Sequence, residues 1–156
     1  MSPVKRLVPR QDNLCFGCGA GNPKSMLLTF DADDETRRIR GEFKIGPEYQ
    51  GGPSFLHGGI IALLIDEAMG KVCRFRQARA VTAEMSVEYL KPIGVNQEIV
   101  VEAYESELPK GRSLFHACEI RDRAGNVLAR GRGRFVIIGQ KFIDDVVRAQ
   151  KVDVTP

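Results

Sequence analysis

The stretch Gly51-Gly52-Pro53-Ser54-Phe55-Leu56-His57-Gly58-Gly59-Ile60-Ile61-Ala62-Leu63-Leu64-Ile65-Asp66-Glu67-Ala68-Met69-Gly70 decides how this chain folds. It opens on turn-forming residues, passes through His57-Gly58-Gly59 and becomes a long apolar run. From Ile60 to Cys73 the apolar residues fall on every side of a helical wheel, the pattern of a helix enclosed by protein. The run contains Asp66, Glu67 and Lys71 and falls short of the ~20 clean apolar residues of a membrane span. A buried helix is expected.

An acid inside that helix calls for a reason. Asp66 follows Leu63, Leu64 and Ile65, so its carboxylate is expected in poor solvent, where an unpaired charge is costly. Either a nearby donor satisfies it, or it emerges at an interface or a reaction site. At the helix start, Gly58 and Gly59 leave backbone N–H groups bare at the positive end, where no intrahelical acceptor exists. Such groups suit a developing oxyanion. Gly58 and Asp66 are eight residues apart, which at ~1.5 Å rise per residue is ~12 Å along the axis. One helix cannot bring both to one carbonyl. If they cooperate, a second copy of the chain supplies one of them.

Working outward, Met1 to Asn13 shows no hydrophobic period and reads as a loosely docked lead-in. Cys15-Phe16-Gly17-Cys18 is half of a zinc pattern whose other half is missing. Cys73 and Cys118 stand alone, and His57 and His116 lack ligand-pair spacing. No metal is expected, and the cysteines read as a structural turn in a reducing compartment. Met26 to Ala32 and Thr36 to Ile45 read as strands joined at Asp33-Asp34-Glu35. After the helix come Arg79 to Tyr89, Glu98 to Glu107, Ser113 to Arg121 and Val127 to Ile138, linked by turns. Gln140 to Gln150 reads as a short helix. In the first of these later strands, alternation puts Val81, Ala83, Met85, Val87 and Tyr89 on one face and Thr82, Glu84, Ser86 and Glu88 on the other. The fold class is α+β, an antiparallel sheet wrapped around a central buried helix.

The length suits one domain with a hydrophobic core. Boundaries are expected at 1–14 for a flexible lead-in, 15–139 for the domain and 140–156 for an extension. The net charge of +3, from 23 basic and 20 acidic residues, is too small to argue for nucleic-acid binding. Arg130, Arg132 and Arg134 alternate with Gly131 and Gly133, so they share one strand face. They read either as a solvated face or as a phosphate ladder. Lys71, Arg74, Arg76 and Arg79 form a second candidate cluster. No aromatic interleaving supports nucleic acid. With no leader pattern and no membrane span in the sequence, the expected location is cytoplasmic.

His57-Gly58-Gly59, then Leu64-Ile65-Asp66-Glu67-Ala68-Met69-Gly70, then Val81-Thr82-Ala83-Glu84-Met85-Ser86-Val87-Glu88-Tyr89-Leu90-Lys91-Pro92, resemble the hotdog-fold acyl-CoA thioesterases of the PaaI-like (phenylacetate-type) group. The opening Cys15-Phe16-Gly17-Cys18-Gly19 with Asn22-Pro23 is similar to many members, and the resemblance runs from about Cys15 to Ile138. It implies a hotdog fold in a homodimer or homotetramer with shared sites, hydrolysing an acyl-CoA without cofactor or metal. By resemblance the Gly58 N–H forms the oxyanion hole and His57 holds the thioester end or the loop. Asp66, from the other subunit, acts as general base or nucleophile. Thr82, sixteen residues after Asp66, hydrogen-bonds the attacking water or the acid. Glu67 points ~100° away from Asp66 and reads as a helix-surface or interface acid. Many relatives carry Asn or Gln six residues before the His. Here that position is Gly51, beside Gln50, so Gln50 takes over the contact or it is absent. Gln50, Gly59, Arg130, Arg132 and Arg134 are the substrate-binding candidates. The alternative is a hotdog module that holds acyl-CoA without turnover.

Overall fold

The computed structural model describes residues 3–152; the ends of the lead-in and of the C-terminal extension, residues 1–2 and 153–156, lie outside the described residues. The elements are β1 (Val4–Leu7), β2 (Phe30–Asp33), β3 (Arg38–Lys44), α1 (Gly58–Val72), β4 (Ala80–Tyr89), β5 (Glu98–Lys110), β6 (Ser113–Asp122), β7 (Val127–Ile137) and α2 (Gln140–Val152). Seven strands form one sheet in the order β1-β2-β3-β5-β6-β7-β4, every pair antiparallel. The sheet wraps α1. This is the hotdog fold.

Helix α1 starts where expected because His57 caps it: the ring Nδ1 accepts the Gly59 N–H at 2.9 Å. Ile61, Leu64, Ile65, Ala68, Met69 and Val72 are buried against the sheet, each large side chain contributing roughly 1.5–3 kcal/mol. The rest of the wheel is only partly covered in the single chain. Ala62, Leu63, Asp66, Glu67 and Gly70 remain half-buried, so the helix is less enclosed than its apolar run suggests.

The closeness of α1 to the sheet explains the Gly–Arg alternation of β7. A Cβ at Gly131 would lie 2.5 Å from Ile65 Cγ2, and one at Gly133 would lie 3.0 Å from Met69 Cε. Both glycines face the helix, and Arg130, Arg132 and Arg134 therefore face away from it. Gly131→Val is expected to destabilise the fold by about 1–3 kcal/mol through overpacking. Urea unfolding would show it as a lowered midpoint, whereas Gly139→Ala, where a Cβ meets nothing within 4 Å, leaves the midpoint in place.

The C-terminal end of α1 is held by a side chain from β6. The helix tightens into a 3-10 turn at Cys73–Arg76, where the Cys73 N–H goes to Gly70 and Lys71. Buried His116 takes the Met69 carbonyl at 2.9 Å through Nδ1 and stacks on Phe135 with centroids 5.0 Å apart. A carbonyl can only accept, so Nδ1 carries the proton. Burial lowers the pKa of the ring and keeps it neutral.

Two differences from the sequence expectation have physical causes. The lead-in, which shows no period, contributes β1, paired with β2 from Val4↔Asp33 to Leu7↔Phe30. Its side chains are mostly exposed, so backbone pairing defines it and no apolar pattern marks it. The strand expected over Met26–Ala32 begins only at Phe30. The Met26 and Leu28 N–H groups go instead to the carbonyls of Phe16 and Gly17, which ties the segment to the cysteine turn.

Candidate active site

Asp66 and Thr82 meet. The Thr82 hydroxyl donates to Asp66 Oδ1 at 2.7 Å. A regular β4 would prevent this, because strict alternation puts Thr82 on the face of Glu84, Ser86 and Glu88. The strand is not regular. Thr82 pairs with Phe135 and Glu84 with Arg134, leaving Ala83 as an extra residue in a bulge. Thr82 opposes buried Phe135, and Met85 and Val87 oppose Gly133 and Gly131, so all three share the helix-facing side. Glu84, Ser86 and Glu88 oppose the arginines on the other side. The expected face assignment is therefore wrong for Thr82, and the bulge is what aims it at α1. Asp66 is partly exposed rather than fully buried, since β4 is the last strand of the sheet.

At the other end of the helix, the Tyr89 hydroxyl donates to the Gly58 carbonyl at 2.9 Å. β4 thus lies along α1, with Thr82 beside Asp66 and Tyr89 beside Gly58. Tyr89 was legible only as one more apolar-face residue; nothing local to its sequence announces a partner 31 residues away. Gly59 is committed, its N–H held by His57. The Gly58 N–H makes no hydrogen bond among the described residues. It is the bare donor at the positive end of the helix.

The remaining candidates lie elsewhere or are engaged. Gln50 Oε1 accepts the Ser54 N–H at 3.2 Å and so shapes the loop before His57. The arginine ladder sits on the sheet face opposite α1, away from Asp66. Arg130 pairs with Glu88 and Arg134 with Glu84, which leaves Arg132 without a partner among the described residues. Arg132 opens on a cavity of about 290 Å³ that it shares with Ser86, Tyr104 and Glu119. The second cluster is spoken for: Lys71 by Glu67, Arg74 by Asp34, Arg76 by Glu105 and Arg79 by Gln140. A larger cavity, about 460 Å³, lies between β3 and β5 and contains none of the candidate residues.

Glu67 is not a free surface acid. Its Oε1 accepts from the Cys15 thiol at 3.1 Å, and its Oε2 lies 3.4 Å from Lys71 Nζ. Lys71 Nζ also donates to Cys18 Sγ at 3.2 Å. Burial pushes the Cys18 thiol up to about 11, with Lys71 opposing that rise and Glu67 adding to it.

Chemically, the Asp66–Thr82 pair holds a carboxylate with one oxygen occupied by a hydroxyl donor and the other available to a water or a carbonyl carbon. Residues 54–129 match the model of the thioesterase superfamily. The match takes in 76 of the 156 residues, and over it the chain is similar to thioesterase superfamily domains. That span contains His57, Gly58, Asp66 and Thr82 and stops just short of the arginine ladder. The chain is 38% identical over 85 residues to acyl-coenzyme A thioesterase THEM4 of Rattus norvegicus, a match covering 54% of this chain and 36% of that protein. It is 32% identical to acyl-coenzyme A thioesterase 13 of Homo sapiens, over 58% of this chain and 66% of the other. The E. coli PaaI protein from the phenylacetic acid degradation operon superposes with a TM-score of 0.61 at 20% identity, over 66% of this chain and 74% of that one. At that identity the likeness is one of fold. The matches to the THEM4 proteins span 34–41% of those relatives' own length. No helix among the described residues is long and apolar enough to cross a membrane.

Proposed function

We propose that the chain is an acyl-CoA thioesterase, hydrolysing the thioester to a free acid and CoA. The observation that carries this reading is the Asp66–Thr82 hydrogen bond, made possible by the bulge at Ala83. In the general-base route, a water held at Asp66 gives its proton to the carboxylate as its oxygen attacks the thioester carbon. In the nucleophilic route, the carboxylate itself attacks and a mixed anhydride is hydrolysed afterwards. Either way the charge gathers on the carbonyl oxygen, the C–S bond breaks, and the leaving thiolate takes up a proton.

The oxyanion needs a donor, and Gly58 of the same chain is ~12 Å along the helix from Asp66. A second copy supplies it. β4 offers an unpaired strand edge ten residues long, and Val81, Tyr89, Leu90 and Phe55 leave large apolar side chains exposed beside it. Such an edge is normally covered or paired. Pairing through it makes a homodimer in which Gly58 of one copy faces Asp66 of the other; two such dimers would make the tetramer. The four cysteines are free thiols, in keeping with a reducing, cytoplasmic setting. For the phosphates of CoA, Arg132 is the ladder's available guanidinium.

The test is thiol release from a panel of acyl-CoAs with short, long and aromatic acyl groups. Turnover of at least one class is expected, and the best substrate begins to define the acyl pocket. Tight binding of acyl-CoA with no turnover of any class would replace the enzyme with a binding module.

A further inference from the structure

We infer that Cys15, Cys18 and Glu67 form a binding site for one soft divalent cation, with Zn²⁺ the natural occupant. The cysteine spacing alone shows two sulfur donors and no third. The fold supplies the third from α1, 52 residues along the chain from Cys15. One donor atom from each of the three residues lies within 4.8 Å of the other two.

The turn that presents the sulfurs is held in place before any ion arrives. Asn13 Oδ1 accepts the Cys15 N–H at 2.9 Å, and the Gly19 N–H returns to the Cys15 carbonyl at 2.9 Å. The Phe16 and Gly17 carbonyls are tied to Met26 and Leu28. Gly17 lies so close over the acid that a Cβ there would sit 2.6 Å from the Glu67 carboxyl carbon. A larger residue there would push the Glu67 carboxyl away from the loop.

The charges balance. Two thiolates and a carboxylate carry three negative charges, a divalent cation leaves one, and the Lys71 ammonium beside Cys18 and Glu67 offsets it. Each thiol releases its proton to solvent as its sulfur bonds the metal, and no electrons move. Thiolate donors select Zn²⁺ over Mg²⁺ or Ca²⁺, and three protein ligands leave one tetrahedral position for water. Glu67 and Asp66 are adjacent but point ~100° apart on the helix. The cation therefore pins the N-terminal loop to α1 without entering the Asp66–Thr82 site, and the site stands apart from the thioesterase reading.

The full chain, reduced with all four thiols counted and stripped of metal, is titrated with Cd²⁺ as a spectroscopic probe. One Cd²⁺ per chain is expected, with a thiolate-to-metal charge-transfer band that Zn²⁺ displaces and Mg²⁺ does not. Cys15→Ser and Cys18→Ser each lose that site, and Cys73→Ser leaves it unchanged. Glu67→Gln, which keeps both thiols and the shape of the side chain, weakens binding by about tenfold or more. This variant keeps the test decisive if a serine variant fails to fold by circular dichroism. No charge-transfer band in the wild type overturns the site. So does a band that survives loss of either turn cysteine, or an affinity that Glu67→Gln leaves unchanged.

Discussion

Asp66→Asn is expected to lower kcat on the best acyl-CoA by about 10²–10⁴-fold, the usual contribution of a positioned base. The substitution is a narrow one. Asparagine keeps an oxygen to accept the Thr82 hydroxyl, which now lies 2.7 Å from Oδ1, and Asp66 is half-buried with no ion pair to lose among the described residues. The thermal midpoint should therefore stay near the wild-type value, and binding of a non-hydrolysable acyl-CoA analogue should persist. A fall in kcat with KM roughly unchanged marks an interaction made only in the transition state. Near-wild-type turnover would remove Asp66 from the chemistry and leave the Asp66–Thr82 bond as packing.

Gly58→Pro removes one backbone N–H and little else. Gly58 is the first residue of α1, where proline is favoured because that N–H has no helical acceptor. The preceding residue, His57, already has φ −61° and ψ 134°, the extended conformation that proline imposes on its neighbour. A Cβ at position 58 meets the Tyr89 ring at 3.6 Å, an ordinary contact. Stability should change little, while kcat falls by about 10²–10³-fold if this N–H stabilises the oxyanion. The pair of variants also tests where the site lies. Co-refolded Gly58→Pro and Asp66→Asn chains regain activity if each site draws Gly58 from one copy and Asp66 from another. They stay inactive if each chain builds its own site.

Much of the fold was legible because its signals are local. The apolar run marks α1 to within a residue or two of Gly58–Val72, and turn residues delimit β6 and β7 with similar accuracy, whereas β5 runs three residues past its expected end to Lys110. The shared face of Arg130, Arg132 and Arg134 followed from alternation, but the reason for the intervening glycines appears only when Ile65 and Met69 lie against them. Long-range partners left no local trace. Glu67 read as a surface acid because Cys15 and Cys18 are distant in sequence. Tyr89 gave no sign of Gly58. β1, whose side chains face mostly solvent, has no pattern to read. Asp66 and Thr82 were both singled out, and the resemblance put Thr82 on the attacking water or the acid, but strict alternation placed it on the face of Glu84, Ser86 and Glu88.

That last point makes Ala83 the residue that sets the reading frame of β4. A side chain there can change without moving its neighbours between faces, because what it supplies is a length of backbone. The residues on either side of it already alternate as a regular strand would, Thr82 toward α1 opposite Phe135 and Glu84 outward opposite Arg134. Removing Ala83 would therefore leave Thr82 facing Asp66. Pulling Ala83 into regular pairing, with Met85 and Val87 held against α1 by packing, would instead turn Thr82 toward the arginine side and Val81 toward Asp66. What the proposed chemistry constrains is the odd-or-even count of the strand, more than any side chain at this position.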